Sequence, residues 1–178
     1  MDKPVRKHNR IEQYNYSQNG AYFITVCTRD RLKILSKISV GTPLPGCPRG
    51  SLPVLSGHPG TGVPTVELLW HGDIANRYIR QMGNFYENLS VDQYVIMPDH
   101  IHLLISIHGG QEEPKNRISV IARFIGTFKR FCNREYGENI WQARYYDHVI
   151  RNQQDYDETW EYIENNPRKW AMMHHMLE

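Results

Sequence analysis

An α+β fold, an antiparallel sheet carrying two helices on one face, is predicted by three observations. Short runs rich in β-branched and aromatic residues alternate with stretches of helical period. They come in the order strand, helix, strand, strand, helix, strand, with a further helix at the end. The chain has 178 residues, 40% apolar and 22% charged, which suits one domain with one buried core.

The elements follow in turn. Ala21–Thr28 is aromatic and β-branched, is preceded by Asn19 and Gly20, and reads as a buried strand. Residues 41–65 break the pattern, because twelve of these 25 are Gly or Pro and Arg49 is the only charged one. Such a stretch predicts a flexible loop, inserted in a hairpin with arms at Leu32–Ile38 and Val66–Leu69. From Asp73, taken as the N-cap, the period turns helical through Ile74, Tyr78, Met82, Phe85 and Leu89. Strands Gln93–Met97 and His100–Ile107 follow, joined by a tight turn at Pro98 and Asp99. A second helix spans Ile118–Tyr136, with Ile121, Ile125, Phe128 and Cys132 on its core side. A last strand, Ala143–Ile150, leads into a helix over Gln154–Asn166 whose core side is Tyr156, Trp160 and Ile163. Pro167 is expected to stop that helix. This order is the split βαβ, ferredoxin-like arrangement. The whole of 1–178 reads as one domain, in which 1–20 form a basic N-terminal arm.

Composition narrows the function. No apolar run reaches the roughly 18–20 residues of a membrane span, and no apolar stretch follows the N-terminus to make a secretory signal. Cys27, Cys47 and Cys132 are odd in number and lack CxxC spacing, so they read as free thiols of the cytoplasm. Net charge is only +2, but its distribution is uneven. Arg6, Lys7 and Arg10 crowd the N-terminus together with Lys3. Residues 117–134 hold five basic side chains and no acid. Clustered cations are the footprint of a nucleic-acid partner. Arg123, Lys129 and Arg130 join the arm as candidate DNA contacts, although a merely solvated basic face has the same composition.

The chemistry starts at His100 and His102. Side chains alternate across a strand, so both imidazoles share one face while Ile101 points the other way. Two imidazoles side by side are half of a divalent-metal site, and a third ligand has to come from elsewhere. The last helix offers one. Tyr162 and Asn166 stand one turn apart on the same helical face, and Tyr162 lies roughly 120° from the centre of the apolar stripe. A phenol there flanks the packed side and can lean toward the histidines, with the Asn166 amide oxygen beside it. Tyr145, Tyr146 and Tyr156 compete as nucleophiles, but none has an amide four residues on followed by a helix stop.

The ordered set MPDHIHLLI at Met97–Ile105, WQARYYDHVI at Trp141–Ile150 and YIENNP at Tyr162–Pro167 resembles the single-tyrosine HUH transposases. The likeness is strongest to the REP-associated tyrosine transposases, and the stretch Tyr14–Phe23 also looks like that branch. The resemblance implies metal-dependent nicking and rejoining of single-stranded or hairpin DNA at palindromic repeats, through a 5′-phosphotyrosine intermediate. Tyr162 would be the nucleophile, and His100, His102 and Asn166 would hold Mg2+ or Mn2+. Asp99 and His148 are candidates for supporting or proton-handling roles. A monomer and a homodimer are both compatible with the spacing. Two other readings remain at this stage: a non-catalytic nucleic-acid-binding module on the same fold, and a metal-dependent phosphodiesterase that uses water.

Overall fold

The computed structural model describes residues 18–40, 64–109 and 119–175. The predicted N-terminal arm, with Arg6, Lys7 and Arg10, and nearly all of the Gly/Pro-rich segment lie outside the described residues.

Two strands dominate the architecture. β1 (Gly20–Cys27) and β5 (His100–Ile107) run antiparallel over their whole length, from Gly20 opposite Ile107 to Cys27 opposite His100. β4 (Leu89–Ile96) flanks β5 and the short β6 (Tyr146–Val149) flanks β1, giving the sheet order β4-β5-β1-β6. This is the predicted ferredoxin-like sheet. The chain also forms the predicted hairpin, β2 (Ser36–Val40) with β3 (Pro64–Leu68), as a separate two-stranded ribbon.

Strand alternation gives the sheet two different faces. Tyr22, Ile24 and Val26 of β1 and Ile101, Leu103 and Ile105 of β5 are fully buried, packed with apolar residues of α1 (Trp70–Met82) and α2 (Val120–Tyr136). Each such side chain contributes about 1.5–3 kcal/mol of burial, so this face is where the fold is stabilised. The other face carries Phe23, Thr25, His100 and His102, and α3 (Gln153–His175) lies across it.

α2 follows the expected pattern closely. The Ser119 hydroxyl accepts from the Ala122 amide at the N-cap, and Gly137 closes the helix with φ of 76°. Ile121, Ile125, Phe128 and Cys132 are all buried.

α1 begins earlier than predicted. Trp70, not Asp73, opens it, and the Asp73 amide already donates to the Leu69 carbonyl. Gly72 permits this start, since a Cβ there would stand 1.9 Å from the Leu35 carbonyl oxygen. Phe85 and Leu89 fall beyond the helix: Phe85 is exposed, and Leu89 opens β4.

α3 differs most. It runs through Pro167 to His175, although a proline inside a helix loses a hydrogen bond and crowds the carbonyl four residues back. Its buried residues are Thr159, Ile163, Asn166, Pro167 and Ala171, while Trp160 is exposed and Tyr156 is half-buried. Of the expected stripe Ile163 is buried, Tyr156 half-buried and Trp160 exposed, because this helix packs on a face that is partly polar. Apolar periodicity does not mark the packed side of such a helix. Pro167 is tolerated because burial on that side offsets the lost bond.

A candidate metal and nucleophile site on the sheet face under the last helix

His100 and His102 point from the start of β5 into the space beneath α3, and both are buried. Their Nε2 atoms face each other at 3.0 Å. The outer nitrogens are held by protein: Asp99 Oδ1 lies 2.5 Å from Nδ1 of His100, and Thr25 Oγ1 lies 2.9 Å from Nδ1 of His102. A carboxylate only accepts, so Nδ1 of His100 donates to Asp99. Supporting groups on the outer nitrogens, with inner nitrogens converging, are the usual dress of metal-bound histidines.

The electrostatics keep His102 neutral. Burial, the neighbouring His100 and the Arg31 guanidinium push the His102 imidazolium down to about 3, so this ring is uncharged at ordinary pH. Burial raises the Asp99 carboxyl, but the hydrogen bond and charge of His100, together with Arg31, outweigh it and hold the acid below its usual range. Arg31 reaches Asp99 at 3.5 Å from a turn in which Asp30 and Arg31 adopt positive φ of 54° and 57°.

The donor set fits a divalent cation. Two lone pairs that converge at 3.0 Å repel unless a proton or a cation lies between them. With no cation between the rings, a proton lies between the two Nε2 atoms. A cation between the rings instead requires Nδ1–H of His102 to donate to Thr25, which needs only rotation of a hydroxyl. Among the described residues, no group of three or more His, Cys, Asp or Glu could hold a metal, so a third ligand beside the two imidazoles would have to be of another type.

α3 offers one. The Tyr162 ring packs edge-on against His102 with centroids 5.4 Å apart, and Trp170 lies 6.1 Å from His100. Asn166 stands one helical turn from each, so the same side of α3 lays Tyr162, Asn166 and Trp170 over the two imidazoles. Asn166 is 7% exposed and Tyr162 is 39% exposed, so the amide is enclosed while the phenol opens to solvent. Phe23 meets the Tyr162 ring at 5.8 Å, and Lys169 Nζ sits 4.8 Å from its centroid.

The remaining candidates are placed apart. His148 shares the α3 face of the sheet, but its Nε2 is engaged by both Asp155 oxygens at 3.0 Å near the start of α3. Tyr146 lies opposite Thr25 on β6 and is exposed, and Tyr145 is half-buried beside the core. The Tyr156 hydroxyl donates to Asp92. Arg123 and Arg130 are exposed on α2, whereas Lys129 turns inward and donates to the Gln142 and Arg144 carbonyls.

Sequence reasoning missed Thr25, Arg31, Lys169 and Trp170. The last two had a readable signal: Trp170 is two turns beyond Tyr162 and one beyond Asn166. Ending the helix at Pro167 hid it.

What fold and site present together is a ferredoxin-like domain with a buried histidine pair beneath a helical tyrosine. No protein-family model matches the chain. An uncharacterized protein of Haemophilus influenzae is 26% identical, over 93% of this chain and 89% of its own length. The REP-associated tyrosine transposase of Escherichia coli is 32% identical, over 44% of this chain and 44% of its own. The solved structure of a REP-associated tyrosine transposase bound to a REP hairpin shares the fold, with a TM-score of 0.57 at 20% identity, covering 90% of this chain and 73% of that one. The chain is similar over part of its length to REP-associated tyrosine transposases and shares the fold of one.

Proposed function

We propose that this protein nicks and rejoins single-stranded DNA beside hairpins formed by palindromic repeats, with Tyr162 as nucleophile and a divalent cation as cofactor. The observation that carries the reading is the convergence of the two Nε2 atoms at 3.0 Å with the Tyr162 ring against His102. Mg2+ or Mn2+, held by these nitrogens and the Asn166 amide oxygen, would polarise a phosphate and offset the charge that builds on it.

The chain's own residues do the rest. Tyr162 sits at the open edge of the site, where a backbone phosphate can approach while its ring is fixed by Phe23 and His102. Its Oη attacks phosphorus in line: the Oη–H proton passes to solvent, the Oη–P bond forms, the P–O3′ bond breaks, and the departing 3′ oxygen takes a proton from solvent. The product is a 5′-phosphotyrosyl link and a free 3′-OH. Because the new bond is itself a phosphodiester, a second 3′-OH reverses the step and joins strands without another energy source. Asp99 and Thr25 fix the two imidazole rings through their outer nitrogens. Arg31, Lys33 and Lys169 are exposed beside the site and suit a polyanion. The buried free thiols Cys27 and Cys132 suit the reducing cytoplasm.

The test is a denaturing gel after incubation with single-stranded hairpin DNA and Mn2+. Native protein should give a covalent shift, and Tyr162→Phe should give none while still binding the hairpin. An adduct that survives this change removes Tyr162 from the role. Binding that ignores chelation, with no adduct, favours a non-catalytic module; repeated cleavage without adduct favours water as nucleophile.

A further inference from the structure

On the far side of the sheet from the histidines, the groove between α1 and α2 has an unusual lining. Phe85, in the turn after α1, is 61% exposed. Its ring lies 5.9 Å from that of Phe131 on α2, and Tyr78 of α1 lies 5.5 Å from Phe131 on the other side. These three rings, with Arg134 and Glu135, line a shallow cavity of about 490 Å³. Large apolar rings left in water beside a groove mark a binding surface.

Charge says what would bind there. Arg123, Arg130 and Arg134 follow one another along the exposed side of α2, and the Arg130 guanidinium packs 6.0 Å from the Phe131 ring centre. The one carboxylate in the lining, Glu135, is already paired with Arg77. Aromatic rings interleaved with arginines suit a strand whose bases stack and whose phosphates need cations. A protein partner would meet a surface with cations in excess, whereas a polyanion is complementary to it.

We propose that this groove is a second nucleic-acid contact, in which an unpaired base stacks on Phe85 and Phe131 while Arg130 and Arg134 hold the flanking phosphates. The proposal rests on the reading of the chain as a DNA-processing protein, but it needs no chemistry at Tyr162. The two faces would let one molecule grip a strand at a point remote from the phosphate being cut.

The experiment is fluorescence anisotropy with a labelled single-stranded oligonucleotide and with the same backbone lacking its bases. The protein is the Tyr162→Phe chain, so that no covalent product forms, with and without Phe85→Ser. Phe85 is exposed, so the substitution leaves the core intact; circular dichroism checks this. Phe85→Ser should weaken binding of the complete strand about 5- to 150-fold, the range of one base stacked on an aromatic ring. It should cost little on the abasic strand. Arg134→Gln should lower the slope of log affinity against log salt by about 0.7. Equal affinity with and without Phe85, or an equal loss on both strands, overturns the proposal. So does sedimentation showing a dimer that Phe85→Ser dissociates, because the groove would then belong to a second copy. If the native chain forms no adduct while Phe85 still couples to the bases, only the catalytic reading is lost.

Discussion

Replacing Thr25 with Val tests whether His102 is a metal ligand or merely a buried ring. Valine keeps the β-branched shape that suits the middle of β1 and removes one atom group, the hydroxyl 2.9 Å from Nδ1. With a cation between the imidazoles, His102 must carry its proton on Nδ1, and Thr25 is the acceptor for it. In Thr25→Val that N–H is left enclosed without a partner. Without a cation, the ring can keep its proton on Nε2 and donate to His100, so the apoprotein loses only an ordinary hydrogen bond, about 1 kcal/mol. Loss of such a supporting group costs about 10- to 100-fold in metal affinity, or roughly 1.4–2.7 kcal/mol. The assay is the Mn2+ concentration that half-saturates adduct formation, alongside urea unfolding in EDTA. The half-saturating concentration should rise by that factor, with adduct formation recovered at high Mn2+. A Thr25→Val chain with the native Mn2+ dependence would refute the assignment of His102.

Two further changes probe the site and the scaffold. Asn166→Asp places a carboxylate in an enclosed position, so the variant should melt below the native chain in EDTA and recover in Mn2+; a melting temperature blind to Mn2+ argues against Asn166 as a ligand. Gly72→Ala drives a Cβ to 1.9 Å from the Leu35 carbonyl oxygen. It should cost about 3 kcal/mol, a fall of roughly 6–12 °C in Tm, and an unchanged Tm would mean that α1 does not press on Leu35.

How much of this was legible in the sequence depends on which physics each residue obeys. β1, β5 and α2 were readable because one face of each is buried in an apolar core, so the period of two or 3.6 is written in the residue types. The histidine pair was readable for the same reason, since alternation alone puts His100 and His102 on one face. α3 was not, because part of its packed side meets His100 and His102, and apolar periodicity has nothing to report there. Its extension past Pro167 rests on tertiary burial, which local rules about proline do not contain. Thr25 and Arg31 were out of reach for another reason: their contacts join β1 and the turn after it to residues more than sixty positions away. Only the register of Thr25 opposite His102 brings them together.

Tyr162, Asn166 and Trp170 ride on a single rod, fastened near its start by the Tyr156 hydroxyl on Asp92 and by the salt bridge from Asp155 to His148. On the proposed reading, attacking group and ligand would therefore be held in register by one element, so that any displacement of it would disarm both together.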